Sequence, residues 1–148
     1  VEFVDVVMRA LERVRRRAGN VEFDVKLLPW TLVGDSTALE RAVLNLLDNA
    51  AKWSPPNGRV RVEMRQLDDW SMVLEVADSG PGIAEQDLPL VFERFYRAPG
   101  ARTMAGSGLG LAIVRQVALR HGGAVWAGRA PEGGALLVMR LPGRPSPV

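Results

Sequence analysis

The stretch NLLDNAAKWS, residues 45–54, combines the apolar spacing of a buried helix with three polar side chains, those of Asn45, Asn49 and Lys52. At about 100° per residue, these three side chains fall within a strip roughly 60° wide along one edge of the helix. The pattern predicts a helix from about Ser36 to Trp53 that buries one face and keeps a polar edge beside it. The expected buried face consists of Leu39, Ala42, Val43, Leu46, Leu47 and Ala50.

Two interpretations of the polar edge remain open from the helix alone. Polar residues usually face solvent, although exposed helix positions favour glutamate, lysine and arginine over asparagine. Alternatively, Asn45 and Asn49 direct their amide oxygens at a common point, where a hard cation such as Mg²⁺ takes oxygen ligands together with substrate phosphates. Lys52 lies one turn further along and would meet the same phosphates as a point charge.

The composition excludes several classes of protein. The chain of 148 residues is long enough for one domain with a hydrophobic core. It contains no cysteine, so neither a disulfide framework nor a cysteine-ligated metal is expected, and a reducing compartment is favoured. The sequence has the pattern of neither a signal peptide nor a transmembrane helix. The basic run RVRRR at 13–17 is interpreted as the cationic end of a helix, and with a net charge of +2 we expect no nucleic-acid binding.

The order of the predicted elements indicates an α+β fold. Apolar residues at helical spacing predict a first helix within residues 1–17, namely Val4, Val7, Met8, Leu11 and Val14. Alternating runs predict strands, and two pairs of them are joined by short turns and so form antiparallel hairpins. The predicted strands cover residues 21–28, 30–35, 59–67, 71–79, 124–130 and 135–142, and a last helix covers 109–121. We expect one mixed, mostly antiparallel sheet with helices on one face.

Capping and turn residues mark the ends of these elements. Asp35 or Thr37 is the expected N-cap of the helix that carries the polar edge, and Thr37 together with Glu40 matches a capping box. The glycine pair at 133–134 is interpreted as a simple turn in the last hairpin. Residues 143–148 are expected to form a C-terminal tail.

The segment between Gly80 and Gly110 is long and rich in glycine, so we expect it to be mobile and functional. Just before it, DSGPG at 78–82 places Asp78 at the end of a strand, where a buried carboxylate needs hydrogen-bond donors. The exocyclic amine of adenine is such a donor, whereas guanine has a carbonyl oxygen there, and a simple Asx-turn is the alternative. GSGLGL at 106–111 places glycines before a helix, which predicts a phosphate site, although glycines also mark hinges and close packing.

Four motifs follow one another in a fixed order. They are N-x-x-x-N-A-x-K-aromatic at 45–53, D-x-G-x-G at 78–82, F-x-R-F-Y-R at 92–97 and G-x-G-L-G-L at 106–111. The P-loop and the catalytic motifs of protein kinases do not occur in the sequence, which excludes those classes. In this order and at this spacing, the four motifs resemble the catalytic, ATP-binding domain of bacterial two-component sensor histidine kinases. The resemblance extends over nearly the whole chain.

This resemblance implies a Bergerat fold, a two-layer α/β sandwich that binds Mg-ATP beneath a flexible lid. It implies a single domain over residues 1–148 with the lid at about 83–107. Asn45 and Asn49 match the Mg²⁺ ligands of the family, and Lys52 matches the lysine that contacts phosphate. Asn45, Lys52 and Arg97 are therefore the candidate catalytic residues.

The resemblance also assigns the nucleotide contacts. Trp53 matches an aromatic residue that packs on adenine, and Asp78 matches the aspartate that reads adenine. Gly80 and Gly82 shape the turn after Asp78, while Gly106, Gly108, Leu109 and Gly110 match the phosphate loop and lid hinge. Phe92, Phe95 and Tyr96 match an aromatic box that we interpret as apolar anchoring, with Arg97 reaching the γ-phosphate. Two positions depart from the family: Trp53 is bulkier than usual, and Ala135 replaces a frequent threonine, which would lower nucleotide affinity.

A sensor histidine kinase is favoured over two related classes, an anti-sigma-factor serine kinase and a gyrase-type ATPase switch. In the ATPases, the position of Asn45 resembles a glutamate that activates water, and an amide cannot take that proton. His121, the only histidine, lies at a helix end and is interpreted as a structural residue. The phosphate acceptor is therefore expected on a separate domain, so this chain should bind ATP without phosphorylating itself.

The resemblance implies partners and a location as well. They are the histidine-bearing dimerisation domain of the same homodimeric protein, and a response regulator that receives the phosphate. The chain starts at Val1 in mid-pattern, which indicates a piece of a longer protein. We expect a cytoplasmic domain of a bacterial plasma-membrane sensor, without direct membrane contact by this domain.

Overall fold

A computed structural model describes residues 1–94, 96 and 110–147 of the chain. The described residues form three α-helices, one 3₁₀ helix and seven strands, and these include all the predicted helices and strands, with shifted ends. In chain order they are α1 (Phe3–Ala18), β1 (Glu22–Lys26), β2 (Trp30–Thr31), α2 (Ser36–Trp53), β3 (Arg59–Gln66), β4 (Ser71–Ala77), the 3₁₀ helix (Glu85–Leu90), α3 (Gly110–Arg120), β5 (Ala124–Arg129), β6 (Ala135–Pro142) and β7 (Arg144–Pro145).

Five strands form the main sheet in the order β1-β3-β4-β6-β5. β1 runs parallel to β3, and the other neighbouring pairs in this sheet are antiparallel. The parallel pair is possible because α2 lies between β1 and β3 in the chain and provides the long crossover that parallel strands require. The predicted mixed, mostly antiparallel sheet is therefore confirmed.

The two faces of the sheet differ in chemistry. Alternate residues of the central strands point towards the helices and are buried with them. These residues are Val60, Val62, Met64, Met72, Leu74, Val76, Leu137, Met139 and Leu141. The opposite face carries ion pairs instead, in which Glu75 contacts Arg61 at 3.2 Å and Arg65 at 2.5 Å. The helices thus cover one face of the sheet, as predicted for a two-layer sandwich.

α2 is the central helix, since it packs against both α1 and α3. Every residue predicted for its apolar face is buried, and Leu44 is buried as well because α2 has a neighbour on each side. In α1 one predicted core position is wrong: Met8 is 48% exposed, and Phe3, Val6 and Ala10 complete the buried face instead. None of the described helices combines the length and the hydrophobicity that crossing a bilayer requires.

The start of α2 is determined by Asp35. Its carboxylate accepts hydrogen bonds from the backbone N–H groups of Thr37 and Ala38 at 3.0 and 3.1 Å, as an N-cap residue does. Thr37 is therefore not the N-cap, and the predicted capping box is wrong. Glu40 turns to α1 instead, where two arginines donate to its carboxylate.

The C-terminal segment is not a tail, in contrast to the prediction. β7 pairs with β2, and Ser146 donates a hydrogen bond to Glu2 while its hydroxyl lies 2.8 Å from that of Thr31. Trp30 is fully buried, and its indole N–H donates to the carbonyl of Pro142 at 3.2 Å. The two ends of the chain are therefore joined beside α1.

Replacing Glu40 by glutamine is expected to weaken the link between α1 and α2. Hydrogen bonds from Arg9 at 2.8 Å and Arg13 at 3.2 Å lower the pKa of the Glu40 carboxyl, with Arg9 contributing more. A lowered folded-state pKa stabilises the protein above the unfolded-state pKa, and this stabilisation is lost as the pH falls through the folded-state pKa. At neutral pH, Glu40→Gln should lower the free energy of unfolding by up to roughly 1 kcal/mol. The difference should disappear as the pH falls through the lowered folded-state pKa of Glu40.

Urea unfolding of the wild type and Glu40→Gln over this pH range measures the difference. Glu12→Gln is a matched control, because Glu12 is an exposed acid on α1. It should leave the free energy of unfolding nearly unchanged at every pH. A Glu40→Gln difference that stays constant from neutral pH into the acidic range would contradict an ion-pair origin.

Candidate functional site

The polar edge of α2 lies at the boundary between core and solvent. Asn45 and Asn49 are half-buried and Lys52 is exposed, beside the buried apolar face. The amide nitrogen of Asn45 donates a hydrogen bond to the carbonyl of Gly110, the first residue of α3, at 3.2 Å. The polar edge therefore meets the N-terminal end of α3, where the backbone N–H groups of the first turn and the helix dipole favour an anion.

Asp78 lies directly after β4 and is 2% exposed. Its Oδ1 accepts two backbone hydrogen bonds at 3.0 Å each, one from Gly80 and one from Ala135. The backbone N–H of Asp78 in turn donates to the carbonyl of Ala135 at 2.9 Å. The first of these bonds is the Asx-turn that the sequence allowed, and the second ties the carboxylate to the start of β6. A buried carboxylate requires such donors, and they orient it.

Glycines surround Asp78 because the backbone segments approach too closely for a side chain. A Cβ atom at Gly80 would overlap the carbonyl oxygen of Trp53, and one at Gly134 would overlap the carbonyl oxygen of Asp78. Gly82 has a φ of 80°, which favours glycine. The last glycine pair lies in the predicted turn, which two backbone hydrogen bonds to Ala130 close. The turn is not its only role, since Gly134 is also buried against Asp78.

The C-terminal end of α2 adds an aromatic ring to this region. Trp53 is the last residue of α2 and is half-buried. The ammonium group of Lys52 lies 5.7 Å from the centroid of the Trp53 ring, within the range of a cation–π contact. The structure thus brings Lys52 and Trp53 to the turn after Asp78, through the contact between Trp53 and Gly80. Their contacts with phosphate and adenine stay predictions.

The described part of the predicted lid covers residues 83–94 and 96 and includes the 3₁₀ helix. Phe92 is 7% exposed and packs in the core, as an apolar anchor does. Tyr96 differs, because its hydroxyl donates to the buried carboxylate of Asp87, and this hydrogen bond raises the pKa of Tyr96. The interpretation as apolar anchoring is therefore incomplete for Tyr96, which also makes this polar contact. The predicted roles of Phe95, Arg97, Gly106, Gly108 and Leu109 lie outside the described residues.

His121 has the structural role that its position predicted. Its Nδ1 lies 2.8 Å from the carbonyl of Val117, and its Nε2 accepts the backbone N–H of Asp35 at 3.1 Å. A Cβ atom at Gly34 would overlap the imidazole ring, so the loop before α2 packs directly on it. The ring therefore joins the end of α3 to the start of α2 through both of its nitrogens.

Three contributors to this region were not predicted from the sequence. Gly134 packs on Asp78, the backbone N–H of Ala135 orients its carboxylate, and Asp87 accepts the Tyr96 hydroxyl. A pair of adjacent glycines is a signal for close backbone approach, and it was available for Gly134. A backbone N–H leaves no signal in the sequence, because every residue except proline has one.

A family model described as Histidine kinase-, DNA gyrase B-, and HSP90-like ATPase matches residues 34–145. This range contains α2, the acid after β4 and the last hairpin, which together form the region described above. The chain belongs to this family.

Individual relatives place the chain within the family. The solved structure named Mycobacterial sensor histidine kinase MprB has a TM-score of 0.94 and 53% identity, over 99% of each chain. The ATP binding domain of PrrB from Mycobacterium tuberculosis has a TM-score of 0.79 and 31% identity, over 99% of this chain and 96% of that one. The signal transduction histidine-protein kinase/phosphatase MprB of Mycolicibacterium vanbaalenii is 57% identical in an alignment 152 positions long, gaps included, which covers 99% of this chain and 31% of that protein. The predicted resemblance to sensor histidine kinase catalytic domains is confirmed over the two alternative classes.

Replacing Gly134 by alanine is expected to displace Asp78 and to weaken nucleotide binding. The added Cβ would overlap a backbone carbonyl, which cannot rotate away, so the turn or the end of β4 must shift. Overpacking of this kind costs on the order of 1–3 kcal/mol of the free energy of unfolding. Chemical denaturation measures that loss, and calorimetric titration with Mg-ATP measures the affinity.

Gly128→Ala is the matched control in the same hairpin, because no atom lies within 4 Å of a Cβ built at Gly128. This substitution should change the free energy of unfolding by less than about 0.5 kcal/mol and leave ATP affinity unaltered. Equal effects of the two substitutions would contradict a specific contact between Gly134 and Asp78.

Proposed function

We propose that this chain binds Mg-ATP and donates the γ-phosphate to a histidine on the dimerisation domain of the same sensor kinase. The response regulator would then receive the phosphate. The observation that carries this proposal is the buried carboxylate of Asp78, oriented by two backbone N–H groups and adjoining the C-terminal end of the polar edge of α2. The PrrB relative, named as an ATP binding domain, supports the choice of nucleotide.

Asp78 selects adenine in this proposal. With Oδ1 bonded to the backbone, the carboxylate is oriented before a ligand arrives. The exocyclic amine of adenine donates to such an acid, whereas guanine offers a carbonyl oxygen, which repels it. Trp53 would stack on the base, which contributes on the order of 1–3 kcal/mol.

The described residues fit a Mg²⁺ ion that is held mainly by phosphate oxygens. Among residues 1–94, 96 and 110–147 there is no group of three or more His, Asp or Glu side chains suited to a metal, so the ligands of this chain would be neutral amides. Asn45 donates through its nitrogen to Gly110, which leaves its oxygen as the atom suited to a cation. Asn45 and Asn49 would hold the ion, which when bound would neutralise phosphate charge.

The transfer itself needs positioning and positive charge more than covalent help from the chain. An imidazole nitrogen of the acceptor histidine attacks the γ-phosphorus, the bond to the β–γ bridging oxygen breaks, and ADP leaves. Lys52 and Arg97 would contribute positive charge, and a lid at about residues 83–107 would exclude water. Asn45 cannot remove a proton from water, and this favours transfer to a histidine over hydrolysis.

The other parts of the kinase belong to the same proposal, because the chain spans 31% of its Mycolicibacterium relative. We infer a homodimer through the histidine-bearing domain and a phosphorylated intermediate on that domain. We also infer a location on the cytoplasmic side of a bacterial plasma membrane, where the response regulator is found. A histidine-bearing helical hairpin encoded beside this chain in the full gene would support all of these inferences.

Asp78→Asn is expected to abolish detectable ATP binding while leaving the fold intact. The amide oxygen of asparagine can accept the same two backbone hydrogen bonds that Asp78 accepts at 3.0 Å. Its NH₂ group replaces the second carboxylate oxygen, so a donor would face the exocyclic amine of adenine, which is also a donor. Calorimetric titration with Mg-ATP measures the affinity, and circular dichroism checks the fold.

Asp69→Asn is the control for this substitution, because Asp69 is an exposed acid in the β3–β4 turn. It should bind ATP like the wild type. If Asp78→Asn bound ATP with unchanged affinity, the adenine-reading role of Asp78 would be refuted.

The chain alone is expected not to phosphorylate itself. Its only histidine, His121, uses both ring nitrogens in contacts with the backbone. Incubation with Mg²⁺ and γ-labelled ATP should therefore leave no stable label on the protein, and His121→Gln should behave identically. Label that is stable on the wild type and lost in His121→Gln would contradict the proposal that the acceptor lies elsewhere.

A further inference from the structure

Arg61 connects the middle of the sheet to the turn between β5 and β6. Its Nε donates to Glu132 at 2.7 Å, while its Nη1 lies 3.1 Å from Glu63 and 3.2 Å from Glu75. The strand register explains this reach, because Arg61 pairs with Ala77, the last residue of β4. The β5–β6 turn lies beside the same end of β4, so one side chain can join β3 to the turn.

The turn that carries Glu132 also carries the groups that hold Asp78. Two backbone hydrogen bonds of 2.8 and 2.9 Å between Ala130 and the glycine pair close the turn. Gly134, the second glycine of the pair, packs on Asp78, and the next residue, Ala135, donates to its carboxylate at 3.0 Å. A displacement of Glu132 therefore displaces the donor that orients Asp78, only three residues away.

The charges and the exposure of Arg61 and Glu132 indicate that their ion pair affects the β5–β6 turn more than the stability of the whole protein. The hydrogen bond from Arg61 lowers the pKa of the Glu132 carboxyl, and Glu132 raises the pKa of Arg61, so both groups are ionised at neutral pH. The side chain of Arg61 is 27% exposed and that of Glu132 is 41% exposed. Ion pairs this accessible add little to overall stability. Arg61 also retains Glu63 and Glu75 as partners when Glu132 is removed.

We propose that Glu132 is a positioning residue for adenine recognition, which holds the β5–β6 turn through Arg61 and thereby orients the Asp78 carboxylate through Ala135. This inference rests on the proposed function, in which Asp78 reads adenine. Glu132 acts through the turn and not through the nucleotide. Its loss therefore affects the hydrogen bond between Ala135 and Asp78 first and ATP affinity second.

The test combines amide hydrogen exchange with calorimetry on the wild type, Glu132→Ala and Glu132→Asp. In Glu132→Ala we expect the Ala135 amide to exchange about fivefold faster, with unchanged exchange in the middle of β4 and β6. ATP affinity should fall about fivefold, which corresponds to about 1 kcal/mol. Glu132→Asp keeps the charge beside Arg61 and should recover most of both effects. Asp69→Ala, in the turn between β3 and β4, should change neither the exchange at Ala135 nor the ATP affinity.

The outcomes separate local positioning from general destabilisation and from failure of the proposed function. Uniformly faster exchange throughout the sheet, or unchanged exchange at Ala135, would overturn the positioning role of Glu132. If the wild type fails to bind ATP, the proposed function fails and the inference falls with it, whatever the exchange data. If the wild type binds ATP and Glu132→Ala binds it equally well, only the inference fails.

Discussion

The burial of the Asp78 carboxylate constrains the backbone around it, at the end of the sheet where the candidate site lies. A charge that is 2% exposed is costly unless donors surround it. Here the donors are backbone N–H groups from the turn after β4 and from the start of β6, so two separate segments must come together at one oxygen. That approach leaves no room for a Cβ at Gly80 or Gly134. The glycines in these two turns follow from this requirement.

α2 is subject to a second constraint. It must pack in the core and also form one wall of the candidate site. Its apolar face is covered by the sheet and by its two neighbouring helices, which leaves a single edge for polar groups. Asparagine suits that edge better than a longer charged residue, since it is compact enough to stay half-buried and its amide can bond to the backbone. The hydrogen bond from Asn45 to Gly110 illustrates this, because it links the edge to the start of α3 without placing a charge there.

Periodicity in the sequence was sufficient to predict features that depend on neighbours along the chain. The buried face of α2 and the hairpin of β3 and β4 were predicted because a helix and a strand each repeat at a fixed interval. Motif order was sufficient to select Asp78 as a candidate. Features that depend on distant contacts were missed, such as the bond between Ser146 and Glu2, which are 144 positions apart. The contacts of Glu40 were missed because its partners are in another helix. The hydrogen bond of the Tyr96 hydroxyl was missed because no local pattern identifies the carboxylate of Asp87 as its acceptor.

The proposed chemistry of the site depends in part on two groups that we expect to serve neither as a general base nor as the phosphate acceptor, the Asn45 amide and the His121 imidazole. An amide at Asn45 has no basic atom for a proton of water, and the imidazole of His121 is occupied by the backbone on both sides. We therefore expect that neither group completes a reaction at the γ-phosphate. In the proposed reaction, ATP bound here persists until a histidine from another domain arrives, and the rate of signalling then depends on how the two domains meet. Under this proposal, regulation can act on the encounter of the two domains and leave the nucleotide site unchanged.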